Sequence, residues 1–375
     1  MLLFSCSAER KNGKVFSPQK IYMEEQLMPK VWVVTGVSGS GRIELLNNLQ
    51  AFAKEKGKIV KVIDVGKVIE QKARENQIRF VLSRILNLDR DTLSLLRALA
   101  MQTINQELST DQDSDIIFIG MHALFLWKDH LIPGVSYSDL LSVNLDGIIT
   151  VVDDVITIQE VNGKNQKWAE EKLPSPASLQ RWMMEEELLS DVFASIKGVQ
   201  MFVLAKNQRV ENLYKFFFED TKRIYLSYPI TAIREEGILD IIQNEYKPRL
   251  EERFYVFNPL DIMDKTHVSK SVNTVEGFLE KESVNLVDAR TIERDYRFIS
   301  QSDAVVVIYP TDKLSPGVSA EMHYAHAHQI PVFMYFPGTP SPFLTEIANI
   351  YKDKQAFFEV LDKFSTQKEY DNLIQ

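Results

Sequence analysis

Apolar runs alternate with amphipathic stretches along most of this sequence. From Lys30 the order is KVWVVTG, a glycine-rich turn VSGSGR, the amphipathic stretch IELLNNLQAFAKEKG and a second apolar run KIVKVIDVG. A long helical stretch over 67–108 follows, and DIIFIG, DGIITVVDD and GVQMFVLA have the composition of further buried strands. Such alternation is typical of a doubly wound parallel sheet. We therefore predict a first α/β domain over 30–220, preceded by a peripheral arm over 1–29.

A second alternation of the same kind fills the remaining chain. KRIYLSYPIT, RFYVFNPLDIMD, AVVVIYP and IPVFMYFPG have the character of strands, and the segments between them include AIREEGILDIIQNEYKPRLEE and SPGVSAEMHYAHAHQ, which have helical patterns. This predicts a second α/β domain over 221–375 that ends in a helical tail. The predicted fold class is α/β, with two doubly wound parallel-sheet domains.

Composition and charge narrow the classes of partner. The 375 residues are 45% hydrophobic, enough for a sizeable core, which excludes a disordered or fibrous protein. The formal net charge is −9 and the basic residues are scattered, so no nucleic-acid partner is expected. No apolar run approaches the roughly 20 residues of a membrane span, so no membrane partner is expected either. Cys6 is the single cysteine and cannot form an internal disulfide, which favours a cytoplasmic location.

The glycine-rich segment Gly36–Ile43, GVSGSGRI, stands between a predicted strand and a predicted helix and has the spacing of a P-loop. Backbone N–H groups and the positive end of the helix can hold phosphate there. Arg42 occupies the position of the usual lysine, and Ile43 replaces the Ser/Thr that binds Mg²⁺. A nucleotide can therefore bind, but the usual chemistry of phosphoryl transfer is missing. The candidate nucleotide-binding residues are Gly36, Ser38, Gly39, Ser40, Gly41 and Arg42.

The first domain resembles archaeal-type adenylate kinases in the order and spacing of VWVVTGVSGSGRIELLNNL, KVIDVGKVI, FIGMHALFLWKDHLIPGVS and DGIITVVDD, over 30–154. Where that family has Asp-Thr-His after its second buried strand, this chain has Gly120–His122. The family's arginine-rich lid corresponds to residues 157–190, where Arg181 is the single arginine. These departures argue against kinase activity. They leave a scaffold or dimerisation unit, a nucleotide sensor without turnover and a working kinase as the alternatives for this domain.

The segment Ser315–Phe333, SPGVSAEMHYAHAHQIPVF, places a carboxylate near the start of a predicted helix. With Ser319 as the N-cap, Glu321 falls in the first turn, where the helix dipole favours the ionised form. Asp295 and Asp303 precede the strand AVVVIYP, and we expect both near the carboxyl edge of the sheet, where open α/β folds bind ligands. Two carboxylates around a glycosidic bond suit an oxocarbenium-like transition state.

Each of these residues also has a structural explanation. The alternatives are that Glu321 is an ordinary helix glutamate stabilised by the dipole, that Asp295 is a solvated surface acid and that Tyr225 is a core residue. His323 and His326 lie one helical turn apart, which is a spacing seen in metal sites. Because no third ligand stands in register with them, we predict no metal site.

The second domain resembles the nucleoside 2-deoxyribosyltransferase superfamily, and most closely its branch of nucleoside 5′-monophosphate N-glycosidases. IYLSYPIT, RDYRFISQSDAVVVIYP and SPGVSAEMHYAHAHQIPVF carry the resemblance, which covers most of 222–337. It implies that Glu321 attacks the sugar C1 and that Asp295 binds the sugar. The loop SYPITAIRE departs from the glycine- and arginine-rich stretch that helps hold the 5′-phosphate in that family. The resemblance implies that Tyr225 and Ser315 contact the substrate, and Gly317 would let the backbone approach it. Thr231 and Arg234 are the substitutes that this chain offers for the phosphate contact, and the candidate substrate-binding residues also include Ser227 and Asp303.

The function predicted from the sequence is cleavage or transfer of the N-glycosidic bond of a nucleoside or nucleotide, with a glutamate as nucleophile. The P-loop domain is expected to bind a nucleotide without catalysis or to act as scaffold. The glycosidase chemistry needs no cofactor. The alternatives are an NAD glycohydrolase and a non-catalytic nucleotide sensor or assembly module. The expected partners are a small-molecule nucleoside or nucleotide and further copies of the chain, at least as a homodimer.

Overall fold

The part of the chain that the structure describes, in a computed structural model, comprises residues 28–80, 84–134, 137–165, 168, 172–262 and 279–366. Nearly all of the predicted arm over 1–29 lies outside these ranges, as does the end of the predicted tail. No helix within the described ranges combines the length and the apolar character that crossing a membrane requires.

The first sheet has five strands, all parallel, in the order β2-β3-β1-β6-β7. Helices cover both of its faces, so the strands are apolar throughout rather than alternating, as in Ile116–Gly120, where every residue is buried. The strands are β1 (Lys30–Thr35), β2 (Val60–Asp64), β3 (Ile116–Gly120), β6 (Gly147–Val152) and β7 (Gln200–Ala205).

The helices of this first unit are α1 (Arg42–Glu55), α2 (Val65–Glu75), α3 (Arg90–Thr110), α4 (Tyr137–Leu141), α5 (Val155–Gly163), α6 (Pro176–Lys197) and α7 (Val210–Phe218). The helical stretch predicted over 67–108 is two helices rather than one. Gln77 follows the first helix with a positive φ of 57°, and Asp89 caps the second by accepting a hydrogen bond from the N–H of Thr92 at 2.9 Å. An antiparallel hairpin of β4 (Leu124–Trp127) and β5 (His130–Pro133) is also present and was not predicted from the sequence.

The second sheet has five parallel strands in the order β12-β11-β10-β8-β9. Its strands are β8 (Arg223–Ser227), β9 (Tyr255–Phe257), β10 (Ala304–Ile308), β11 (Val332–Tyr335) and β12 (Asn349–Tyr351). Its helices are α8 (Ile230–Glu235), α9 (Leu239–Ile241), α10 (Lys247–Glu251), α11 (Leu279–Ser300), α12 (Pro316–Ala327), α13 (Pro342–Ile347) and α14 (Lys354–Thr366), with a π-helical turn over Ile242–Tyr246. The predicted fold class, α/β with two parallel sheets, is confirmed.

The two sheets belong to units that pack closely together. Helix α11 lies against α6, where the guanidinium of Arg290 forms a buried ion pair with Glu187. The side-chain amide of Gln301 bonds to both the N–H and the carbonyl of Val203, at 3.0 and 2.7 Å. One continuous hydrophobic cluster contains buried residues from both units, for example Val34 and Val305. The predicted boundary between residues 220 and 221 falls between α7 and β8.

Candidate functional site

The P-loop of the first unit connects β1 to α1 at the carboxyl edge of the sheet. Gly41 is the N-cap of α1 and has a left-handed φ of 72°. This backbone conformation disfavours any larger residue, and a Cβ at this position would lie 2.3 Å from Cε of Lys206, whose side chain would have to move. Gly39 has a φ of 86°, and a Cβ there would come within 2.9 Å of the carbonyl of Ile158. The loop therefore adopts a shape that its glycines make possible.

Arg42, the predicted substitute for the P-loop lysine, is half-buried against the loop. Its Nη1 donates a hydrogen bond to the carbonyl of Gly36 at 3.0 Å. Burial lowers the pKa of the guanidinium, while the nearby carboxylates of Glu186 and Asp64 raise it. The guanidinium is thus engaged by the loop's own backbone.

Glu186 on α6 accepts a hydrogen bond from the P-loop, and it is not among the residues predicted from the sequence. Its Oε1 accepts hydrogen bonds from the N–H groups of Gly36 and Ala123 at 3.0 and 2.9 Å, and its Oε2 accepts one from Leu124 at 2.6 Å. Burial raises the pKa of Glu186 to about 7, against the lowering effect of these three bonds. One carboxyl group therefore joins the P-loop, the end of β3 and the hairpin. A signal existed, because Glu186 falls three residues after Met183 on the apolar stripe of α6.

A cavity of about 330 Å³ opens beside the P-loop. Asp64 and Arg84 add polar groups to its wall, and the loop and the start of α1 contribute Ser38, Gly39, Gly41, Arg42, Ile43 and Glu44. The remaining wall is largely apolar and aromatic, and Trp127 and Trp168 lie with their ring centroids 5.5 Å apart. Its aromatic side chains are His122, Phe125, Trp127, Trp168 and Trp182. A pocket of this size, with a few polar groups on an apolar wall, suits a small-molecule ligand.

Glu321 in the second unit lies on α12, but not in its first turn. The helix begins one turn earlier than predicted, with Ser315 as the N-cap, Pro316 at the first helical position and the Ser315 hydroxyl accepting from the N–H of Val318 at 3.4 Å. Proline at the first position loses no hydrogen bond, which makes Ser315 a better cap site than Ser319. The prediction that the helix dipole stabilises ionised Glu321 is therefore wrong.

Two hydroxyl groups on β8 hold the carboxyl group of Glu321. Tyr225 donates to Oε1 at 2.9 Å and Ser227 donates to Oε2 at 2.5 Å. Residues two apart on a strand point to the same face, so β8 presents both hydroxyls to α12. Burial and the charge of Asp295 raise the pKa of Glu321 to about 8, while the two hydrogen bonds lower it. At neutral pH the group is mainly protonated, which differs from the predicted ionised carboxylate.

Asp295 and Asp303, two further predicted residues of the second unit, lie in different places. Asp295 lies beside Glu321, with the Nε of Arg294 donating to its Oδ1 at 3.2 Å. Asp303 precedes β10 and accepts from the N–H of Arg223 at 2.7 Å. Residues that precede a strand of this parallel sheet lie at its amino edge, so the prediction that places Asp303 at the carboxyl edge is wrong.

Three further predicted residues make no contact with this carboxyl group. Thr231 and Arg234 are exposed on α8. Gly317 lies in the first turn of α12, and no heavy atom of the chain would come within 4 Å of a Cβ there. The cluster that the structure brings together is therefore formed by Tyr225, Ser227, Asp295 and Glu321.

His323 bonds through Nδ1 to the carbonyl of Ser319 at 2.7 Å, within its own helix. In the described ranges no three His, Cys, Asp or Glu side chains are grouped so that they could hold a metal ion.

Comparison with known proteins gives matches to solved structures alone. No protein-family model matches the sequence, and no curated protein matches it. Shikimate kinase from Acinetobacter baumannii in complex with shikimate is 9% identical, with a TM-score of 0.33, and the match covers 57% of this chain and 97% of the other. A sugar kinase from Janibacter is 17% identical over 50% of this chain and 91% of the other, with a TM-score of 0.28. The protein TT1252 from Thermus thermophilus is 14% identical over 48% and 90%, with a TM-score of 0.27.

These matches correct the enzyme class predicted from the sequence. That prediction was a nucleoside or nucleotide N-glycosidase or deoxyribosyltransferase, with kinase activity argued against. Two of the three proteins named above are kinases, which contradicts the predicted enzyme class. With identities of 9 to 17% and TM-scores of 0.27 to 0.33, the matches give this chain no activity in its place.

Proposed function

We propose that this chain is a nucleotide-binding protein and that the cavity beside its P-loop is the binding site. One observation carries the proposal: the backbone of a P-loop and a wall of aromatic side chains line the same cavity of about 330 Å³. The loop offers N–H groups and a helix N-terminus, which bind phosphate. The aromatic wall offers faces on which a base can stack. A nucleotide has both of these chemical parts.

The four-residue cluster around Glu321 is a second candidate site for a small molecule. The observation that favours it is the carboxyl group of Glu321, which two hydroxyls hold beside a second carboxylate, Asp295, and whose pKa is raised to about 8; Asp295 is 15% exposed. Such a group both donates and accepts hydrogen bonds, which suits a polyhydroxylated ligand such as the sugar of a nucleoside. With both sites acting as binding sites, the proposed function is the nucleotide sensor that the sequence left as an alternative.

Tryptophan fluorescence tests the first site directly. Three of the four tryptophans, Trp127, Trp168 and Trp182, line the cavity, while Trp32 lies outside it. We expect nucleotides to change the fluorescence saturably when the common nucleosides, their mono-, di- and triphosphates and NAD are titrated in turn. Calorimetry on the same panel gives the affinity and the stoichiometry.

A pair of variants localises the binding. Phe125→Ala removes part of the aromatic wall and should weaken nucleotide binding about tenfold, because stacking on a base is lost. Phe343→Ala removes a side chain that is 80% exposed and outside the cavity, and should leave affinity unchanged. No binding to any member of the panel, or equal effects of the two variants, would contradict the proposal.

A further inference from the structure

Lys206 lies against the P-loop although it is far from the loop in the sequence. It follows β7 directly, and its N–H donates to the carbonyl of Val152 at 3.0 Å, which extends the ladder between β6 and β7 by one bond. The side chain then runs over Gly41. A Cβ on Gly41 would lie 2.3 Å from Cε and 3.0 Å from Nζ of Lys206. The ammonium group therefore stands at the mouth of the loop, where α1 begins.

The present partner of Lys206 is a weak one. Nζ forms an ion pair with Oε2 of Glu44 at 3.3 Å, and the Glu44 side chain is 66% exposed whereas that of Lys206 is 19% exposed. An exposed carboxylate in a single contact of this kind contributes little. A phosphate group, which carries more charge and more acceptor oxygens, can displace it.

The loop also contains a hydroxyl that the protein does not use. Ser40 is fully buried, and its Oγ has no hydrogen-bond partner among the described residues. This oxygen lies within the turn, 2.6 Å from the place that a Cβ on Gly36 would take. Buried hydroxyls without partners are uncommon, but Ser40 is not part of the cavity wall, so this one does not identify a ligand contact.

We infer that Lys206 supplies a positive charge that binds the phosphate of the ligand, and that this pocket therefore selects phosphorylated nucleotides over nucleosides. The inference rests on the nucleotide binding proposed above. Nζ of Lys206 lies beside Gly41, a residue of the cavity wall, and pairs with the exposed carboxylate of Glu44, while the charge of buried Asp153 acts on it as well. Lys206, which follows β7, thus takes the role of the lysine that is absent from the usual P-loop position.

The experiment compares adenosine with ADP, by calorimetry, on wild type and three variants. Lys206→Gln should weaken ADP binding about 10- to 100-fold and leave adenosine binding unchanged, because a charge-assisted contact to phosphate is lost. Glu44→Gln should strengthen ADP binding several-fold by removing the competing carboxylate. Lys54→Gln changes an exposed lysine at the opposite end of α1 and should alter neither affinity. The salt dependence of ADP binding should also flatten in Lys206→Gln.

The outcomes separate this inference from the proposal on which it rests. If wild type binds neither ADP nor adenosine, both ideas fail. If wild type binds ADP but Lys206→Gln leaves its affinity unchanged, or weakens ADP and adenosine equally, the role of Lys206 is refuted while nucleotide binding stands. A fall in the ratio of ADP to adenosine affinity in Lys206→Gln, with no change of that ratio in Lys54→Gln, supports the inference.

Discussion

The hydroxyl of Tyr225 on β8 and the carboxyl group of Glu321 on α12 are joined by a hydrogen bond of 2.9 Å. The bond crosses from a strand next to the centre of the second sheet to the helix that follows β10, and Ser227 makes a second one beside it. Both favour the ionised carboxylate, whereas burial and Asp295 favour the neutral acid. The protonation of Glu321 thus reflects a balance that single substitutions can move.

We predict that Tyr225→Phe and Ser227→Ala each raise the pKa of Glu321 above its value of about 8. Each variant removes a donor that stabilises the charged form, and leaves the burial and Asp295 in place. The titration of Glu321 can be followed by NMR on protein with ¹³C-labelled glutamate side chains, with Glu321→Gln to assign the signal.

Tyr228→Phe is a matched control for that measurement. Tyr228 is the next tyrosine along the chain, but its hydroxyl donates to Oδ1 of Asn258 at 2.7 Å and not to Glu321. Its removal should move the Glu321 titration much less than Tyr225→Phe does. Equal shifts in the two variants would show that the hydrogen bond to Tyr225 is not what holds the pKa down.

The stability of the protein should fall as the pH rises from about 5 to about 8. The pKa values of Glu321 and Glu186 are raised from 4.5 to about 8 and about 7, so between these limits the folded state binds more protons than the unfolded state. The free energy of unfolding therefore decreases with pH in this window. Each such group contributes a slope of at most about 1.4 kcal/mol per pH unit.

Urea denaturation at a series of pH values measures this slope in wild type and in Glu321→Gln. The variant lacks the titrating carboxyl group of Glu321, so its unfolding free energy should change less between pH 5 and pH 8. Stability that increases with pH over this range would contradict the raised pKa values.

Glu186→Ala should destabilise the protein and weaken nucleotide binding together. The substitution leaves the N–H groups of Gly36, Ala123 and Leu124 buried without their acceptor, at a cost of about 2–5 kcal/mol. Gly36 is the first residue of the P-loop, so the shape of the loop depends on its hydrogen bond to Glu186. Thermal unfolding gives the first effect, and calorimetry at a temperature where the variant is folded gives the second.

Glu185→Ala, one residue earlier on α6, tests whether the effect belongs to this carboxyl group. Glu185 is only half-buried, and no contact with the P-loop is observed for it among the described residues. The expected change in stability is within about 1 kcal/mol. An equal loss in the two variants would assign the effect to the helix and not to the carboxyl group of Glu186.

The sequence predicted the sheets well because parallel strands covered on both faces must be apolar throughout, as Ile116–Gly120 is. It also located the P-loop, since strand, glycines and helix are consecutive in the chain. Contacts made across the fold were harder to predict. Glu186 reaches Gly36 from 150 residues away, and Lys206 reaches Gly41 from a different strand. No local pattern encodes such distances.

The errors within the second unit have local causes. Ser315 and Ser319 are both acceptable caps, and the proline after the first decides between them. Asp303 lies just before β10, at the amino edge of the sheet, whereas the prediction placed it at the carboxyl edge. By contrast, Tyr225 and Ser227 were both predicted, and their spacing of two places them on one face of β8 beside Glu321.

Gly147→Ala should destabilise the first unit, whereas Gly317→Ala should not. Gly147 on β6 is paired in register with Trp32 on β1, and a Cβ there would lie 2.3 Å from Cζ3 of the Trp32 ring. The ring must move, at a cost of about 1–3 kcal/mol. Gly317 lies in a helix with open space around the site of a Cβ, so alanine there should be neutral or stabilise by up to about 1 kcal/mol. Urea denaturation measures the stability of both variants. An equal loss of stability in the two would contradict the expectation that alanine is tolerated at position 317 and not at position 147.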